Sequence, residues 1–168
     1  SPLLPSWMPE QFSTSYTWFM NSASHDINLM HYFFPKELQV QGAHMTSDGS
    51  IITCLSLDHS TIVFELAKCE TGSWQQGVEF LFEKGRMTVE IPSPMITDQV
   101  SRVTLEENTD NKKNYKLKIP VEWCFESQAK AFIDDFIIGR RSLANGWGAI
   151  DDLRLTENIW KSIQGIEK

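Results

Sequence analysis

The sequence predicts an α+β fold: an open, mostly antiparallel β-sheet with helices packed on one face. Three observations carry this. A helical pattern runs over residues 18–34, a block of alternating strands fills 38–119, and the helical period returns after Pro120. Helix, then strands joined by short turns, then helices is the order expected when helices cover one side of an antiparallel sheet.

Residues 1–17 are expected as an extended lead-in, because Pro2, Pro5 and Pro9 suppress helix. Residues 18–168 are expected to form a single domain, a size that suits one core. With no initiator Met, the chain reads as a fragment or processed product. In the first helix Asn21, His25, Leu29 and Phe33 recur every fourth residue and share a face, until Pro35 stops it.

Strands are expected over 38–45 and 51–57, flanking the hairpin turn Ser47-Asp48-Gly49-Ser50. Further alternating runs cover 62–66, 78–82, 87–91, 100–106 and 115–119, with a polar loop at 107–114. Phe125, Ala129, Phe132, Ile133, Phe136 and Ile137 then mark an amphipathic helix, with Gly139 as its C-terminal cap. A last helix is expected from about Trp147 to Ile163, with Asp151 and Asp152 in its first turn.

Composition excludes several classes. The hydrophobic fraction of 41% and charged fraction of 22% do not fit wholesale disorder. A net charge of −7 argues against nucleic acid as a partner. Arg140-Arg141 and Lys112-Lys113 read as solvated loop charges. Cys54, Cys69 and Cys124 lack Cys-x-x-Cys spacing, so neither a disulfide framework nor a zinc site is expected. A reducing, cytoplasmic setting follows from that usage. No apolar run is long enough for a bilayer and no signal-peptide pattern opens the chain, so no membrane partner is expected.

The leading site candidate is His25, since an unperturbed imidazole titrates near neutrality and suits proton transfer. Asn21, one turn earlier on the same face, can hydrogen-bond the imidazole or a substrate hydroxyl. The plain alternative is a surface histidine beside Asp26. His25 and His31 fall on opposite sides of a helix, and His44 and His59 have no nearby acidic cluster, so no metal is expected. Asp134-Asp135 and Asp151-Asp152 are adjacent residues that diverge on a helix, and read as solvated faces. Trp7, Trp18, Trp74, Trp123, Trp147 and Trp160 could stack against sugars or bases, but core packing and an interface account for them more simply. No glycine spacing matches Gly-x-Gly-x-x-Gly or a P-loop; Gly146-x-Gly148 follows no strand. A dinucleotide-binding half is not expected in this chain.

Three stretches carry a resemblance. They are 24–34, Ser-His-Asp-Ile-Asn-Leu-Met-His-Tyr-Phe-Phe; the strand pair 61–66 and 77–89; and the closing helices 132–162 around Gly139-Arg140. In order and spacing they resemble the C-terminal domain of the glucose–fructose oxidoreductase / inositol dehydrogenase (Gfo/Idh/MocA) family of NAD(P)-dependent oxidoreductases, over most of 18–163.

The resemblance implies that His25 takes the substrate proton as acid/base. It implies that Asn21, where the family commonly has Asp, orients the substrate; Asn can hydrogen-bond but cannot ionise. The glycine-rich lead-in common in the family is replaced by Ser15-Tyr16-Thr17, and Ala23 stands where Gly is frequent. NAD or NADP would be bound mainly by an N-terminal Rossmann domain lying outside this chain, which also carries the family's lysine. The substrate would be a polyol, sugar or related hydroxy compound. A homo-oligomer would form through the open sheet face, and outward positions such as Val63 and Leu81 supply apolar surface for it. The alternatives are a non-catalytic sugar-binding sensor of the same architecture and a stand-alone α+β binding module.

Overall fold

The computed structural model describes residues 4–69, 72, 74–108, 113–142 and 145–166. Its elements in chain order are α1 (Ser13–Phe33), β1 (Gln39–Met45), β2 (Ile51–Leu57), β3 (Ser60–Leu66), β4 (Gln76–Phe82) and β5 (Gly85–Ile91). There follow β6 (Arg102–Glu107), β7 (Lys113–Leu117), α2 (Cys124–Ile138) and α3 (Gly146–Ile163). The fold is α+β with antiparallel strands, in two compact units: Ser1–Lys68 with Leu143–Lys168, and Cys69–Ser142. The strands pair as two ladders, β1-β2-β3 and β4-β5-β6-β7.

The lead-in is less extended than its prolines suggest. Pro9 is extended at φ −62° and ψ 139°, a short 3-10 turn occupies Glu10–Phe12, and α1 begins at Ser13, ahead of Trp18. Proline breaks a helix from inside but is tolerated just before one, and residues 10–17 contain none. Residues 1–3 lie outside the described residues. The far end matches expectation: Phe34 N–H bonds the Met30 carbonyl and Pro35 follows.

In the first unit β1 and β2 meet at the expected turn. Gly49 adopts φ +84°, a conformation that side-chain-bearing residues rarely adopt. The Asp48 carboxylate accepts hydrogen bonds from the Thr46 hydroxyl, the Ser50 backbone N–H and the Ser50 hydroxyl. These bonds, the Thr46 hydroxyl contributing most, hold the Asp48 carboxyl below its ordinary pKa.

Alternation along β2 sends Ile51, Thr53 and Leu55 into the core and leaves Ile52 exposed. Phe19 and Ile27 of α1, and Ile159 and Trp160 of α3, complete that core. Trp160 is ringed by Phe12, Tyr16 and Phe19 at centroid distances of 6.2, 5.5 and 6.0 Å. Each such buried side chain contributes about 1.5–3 kcal/mol of hydrophobic stabilisation. Burial, with the Glu157 charge as a smaller cause, pushes the Tyr16 phenol above its usual pKa.

The second unit is built differently. Register places Val78, Val89, Val103 and Leu117 in one row, and Phe80, Met87, Leu105 and Tyr115 in the next, all on one sheet face. Glu79, Thr88, Thr104 and Lys116 line the other, where Arg86 bridges Glu106 at 2.7 Å and Glu79 at 3.3 Å. Asp135 is the one buried residue among those described in this unit. Helix α2 ends at Gly139, φ +67°, as its sequence implies. Its expected apolar stripe exists but is exposed, Phe136 to 81%. The indole N–H of Trp123 donates to the Pro94 carbonyl at 2.9 Å, tying the start of α2 to the segment after β5. The polar loop at 107–114 lies partly outside the described residues, Lys112 included.

Candidate functional site

Helix α1 turns Tyr16, Phe19, Ala23 and Ile27 inward. Asn21 and His25, one turn apart, therefore lie on the opposite side, and both are exposed. The sequence places the pair on one face, and the helix keeps that face open. One concavity of about 410 Å³ is bordered by Arg86, Glu106 and Lys113, and another of about 260 Å³ by Lys36, Glu37 and Asp58. Neither includes His25 or Asn21. The imidazole is open to whatever docks on this face.

The carboxylate pairs behave differently from the sequence expectation. Asp152 is not solvated: its Oδ1 accepts from His31 Nδ1 at 2.6 Å and its Oδ2 from Asn28 Nδ2 at 2.9 Å. The His31 and Asp152 side chains are only 20% and 16% exposed. Asp152 thus joins α3 to two positions of α1, and a carboxylate able to take several hydrogen bonds suits that use. Its neighbour Asp151 is exposed and pairs with Arg154 at 3.1 Å.

In the other pair Asp135 is buried and receives Arg140 Nε at 2.7 Å, so Arg140 is not a free loop charge. Adjacent helical residues point about 100° apart, which lets one member of each pair face inward while the other stays wet. The divergence was legible in sequence; the inward turn of Asp152 depends on partners distant in the chain, whereas Asp135 is met by Arg140 five positions on. Asp151 and Asp152 also fall beyond the first turn of α3, whose N-cap is Asn145, accepting from the Trp147 and Gly148 N–H groups.

Among the described residues no group of three or more His, Cys, Asp or Glu could hold a metal ion. Cys54 is half-buried, Cys69 and Cys124 are exposed, and all three are free thiols. No helix among the described residues is long and apolar enough to cross a membrane.

No protein-family model matches the chain, and no curated protein sequence does. Solved structures do. An aldose-aldose oxidoreductase from Caulobacter crescentus, crystallised with glycerol, is similar at TM-score 0.68 and 16% identity, covering 89% of this chain and 46% of that one. The Bacillus subtilis protein yvaA is similar at TM-score 0.66 and 10% identity, covering 98% of this chain and 53% of its own. KijD10, a 3-ketoreductase from Actinomadura kijaniata complexed with TDP-benzene and NADP, is similar at TM-score 0.60 and 16% identity, covering 86% and 46%. The chain spans about half the length of the structures it matches and shares its fold with that part of each.

Proposed function

We propose that residues 18–168 form the substrate-binding and oligomerisation domain of an NAD(P)-dependent oxidoreductase acting on a polyol, sugar or related hydroxy compound. The observation that carries this reading is the open α1 face, with Asn21 and His25 one turn apart, on a fold similar to about half the chain of two solved oxidoreductases. The resemblance of the His25 helix to the Gfo/Idh/MocA family supports the same assignment.

The sequence has no Gly-x-Gly-x-x-Gly phosphate cradle, so NAD or NADP would be held mainly by a Rossmann domain. When bound there, a nicotinamide supplies the hydride acceptor. The part of this chain is proton and position. His25 receives the substrate hydroxyl proton at a ring nitrogen, and the Asn21 amide hydrogen-bonds the substrate and orients it. Replacing His25 with Ala in the full-length protein lowers turnover by about 10²–10⁴-fold on this reading. Unchanged turnover rejects it.

Open surface on the two ladders, at Val63 of β3 and Leu81 of β4, carries the oligomer contact in this proposal. Val63 and Leu81 point outward and are 69% and 77% exposed, costly surface for a chain that stays alone. The three free thiols fit a cytoplasmic setting. One residue favours a second reading. Asn21 replaces the family's usual Asp with a side chain that cannot ionise, as a sugar-binding sensor without catalysis would tolerate. A Rossmann fingerprint upstream without the Glu-Lys-Pro lysine would favour the sensor.

A further inference from the structure

We propose that α2 pairs with the α2 of a second copy of this chain, antiparallel and about a two-fold axis at Ala129. The contact is separate from the Val63 and Leu81 surfaces and does not depend on the role of His25. Among the described residues of α2 only Asp135 is buried, and it is held by Arg140 just beyond the same helix. A 15-residue helix without packing is marginal in water. Yet Phe125, Phe132, Ile133, Phe136 and Ile137 form one continuous stripe, each between 43% and 81% exposed. With aromatic side chains of roughly 150–250 Å² each, the stripe leaves on the order of 600 Å² of apolar surface open. Val121 and Trp123, exposed just ahead of the helix, extend it toward the roughly 800 Å² that one partner buries in a standard interface.

The chemistry of the stripe selects a second copy. Contacts between domains of one chain are comparatively polar, whereas permanent subunit contacts are rich in apolar side chains. The stripe holds no charge, and its one small residue, Ala129, stands near its middle. Placed on the axis, Ala129 meets its own copy and lets the two helices approach closely. Helical spacing then sets Phe125 against the partner's Ile133 and brings Ile137 toward the partner's Val121. Glu126 and Lys130 lie on one flank of the stripe, and among the described residues neither is in an ion pair. An antiparallel two-fold pair brings each flank against the same flank of its partner. Glu126 therefore meets the partner's Lys130, and Lys130 meets the partner's Glu126. A parallel pair sets that flank against Gln128 and Asp135 instead, and Asp135 is already taken by Arg140.

Light scattering of the full chain across a concentration series tests the pairing. The wild type is expected to be at least a dimer. Phe132→Ser and Lys130→Glu should each weaken self-association by about tenfold or more. Combining Glu126→Lys with Lys130→Glu in one chain should restore it. These positions are exposed, so a lower mass does not reflect a broken core. Cross-linking gives a second measurement, in a chain whose Cys54, Cys69 and Cys124 are replaced by Ser. There Ala129→Cys should form a disulfide with its own copy, whereas Ile137→Cys, about 24 Å from its copy along the axis, should not. A monomeric wild type, or assembly indifferent to Phe132→Ser, overturns the pairing and leaves the His25 reading standing. A charge exchange that fails to restore assembly, or cross-linking at 137 in place of 129, overturns the antiparallel register and the proposal with it.

Discussion

The two units handle apolar side chains in opposite ways. The first drives Phe19, Ile51, Leu55, Ile159 and Trp160 out of contact with water. The second sets equally regular apolar rows across β4–β7 and a stripe along α2, yet none of its described apolar side chains is buried. Alternation tells which way a side chain points and is silent on what lies above it. The first unit has its cover within its own residues, because α1 and α3 bracket the sheet side that Ile51, Thr53 and Leu55 occupy. The second unit leaves Phe82, Phe132, Phe136 and Ile137 exposed, and apolar surface of that kind is the usual raw material of subunit contacts.

The largest expected effect breaks or upholds this contrast directly. Trp160→Ala should cost about 3–5 kcal/mol in denaturant unfolding, whereas Phe136→Ser on α2 should stay within about 0.5 kcal/mol. Comparable losses at the two positions would end the distinction between the units.

Next in size is the α1–α3 link. Asp152→Ala strips His31 and Asn28 of their shared acceptor and should cost about 1–3 kcal/mol. A double-mutant cycle with His31→Gln should show coupling of about 0.5 kcal/mol or more, and additive losses would mean the contact is idle.

Leu81→Lys and Val63→Lys should leave unfolding free energy within about 0.5 kcal/mol. If Leu81 on the Glu79 face of the second ladder and Val63 on the first both lie in the oligomer contact, light scattering should show each variant at a lower mass than the parent. A mass indifferent to both substitutions removes these two surfaces from the interface.

The smallest effect concerns the β1–β2 turn. The folded pKa of Asp48 is lowered, so the unfolded chain binds its proton more readily. The contribution of the carboxylate is complete above the ordinary aspartate range and is lost as pH falls through the lowered folded value. Asp48→Ala should flatten that acid limb of the stability profile. A profile identical to wild type would show that the turn bonds do not bias the titration.

What could be read from residues alone divides along the same physical line. Local signals were legible: strand alternation, the Asp48-Gly49 turn, the Gly139 cap and the break at Pro35 all depend on neighbours within a few residues. So did the pairing of Asn21 with His25 on one face, since helical spacing suffices for it. The start of α1 at Ser13 was hidden by weighting Pro9 as a breaker when it stands outside the helix. The division of the strands into two ladders and the inward turn of Asp152 depend on distant partners, which periodicity does not encode. Trp18 illustrates both sides. Its place on the His25 face follows from spacing, whereas the Lys68 ammonium over its ring comes from fifty positions onward.

The bonds from Asp152 to His31 and Asn28 span 121 and 124 positions. They close a unit whose two pieces end at Lys68 and resume at Leu143. A ribosome therefore releases everything from α1 through α2 before the helix that surrounds itself with Phe12, Tyr16 and Phe19 exists. Until α3 emerges, those aromatic rings lack their central partner, and the nascent chain depends on slow, long-range closure. Shortening the C-terminus past Gly146 should for that reason collapse the part of the molecule that begins the chain.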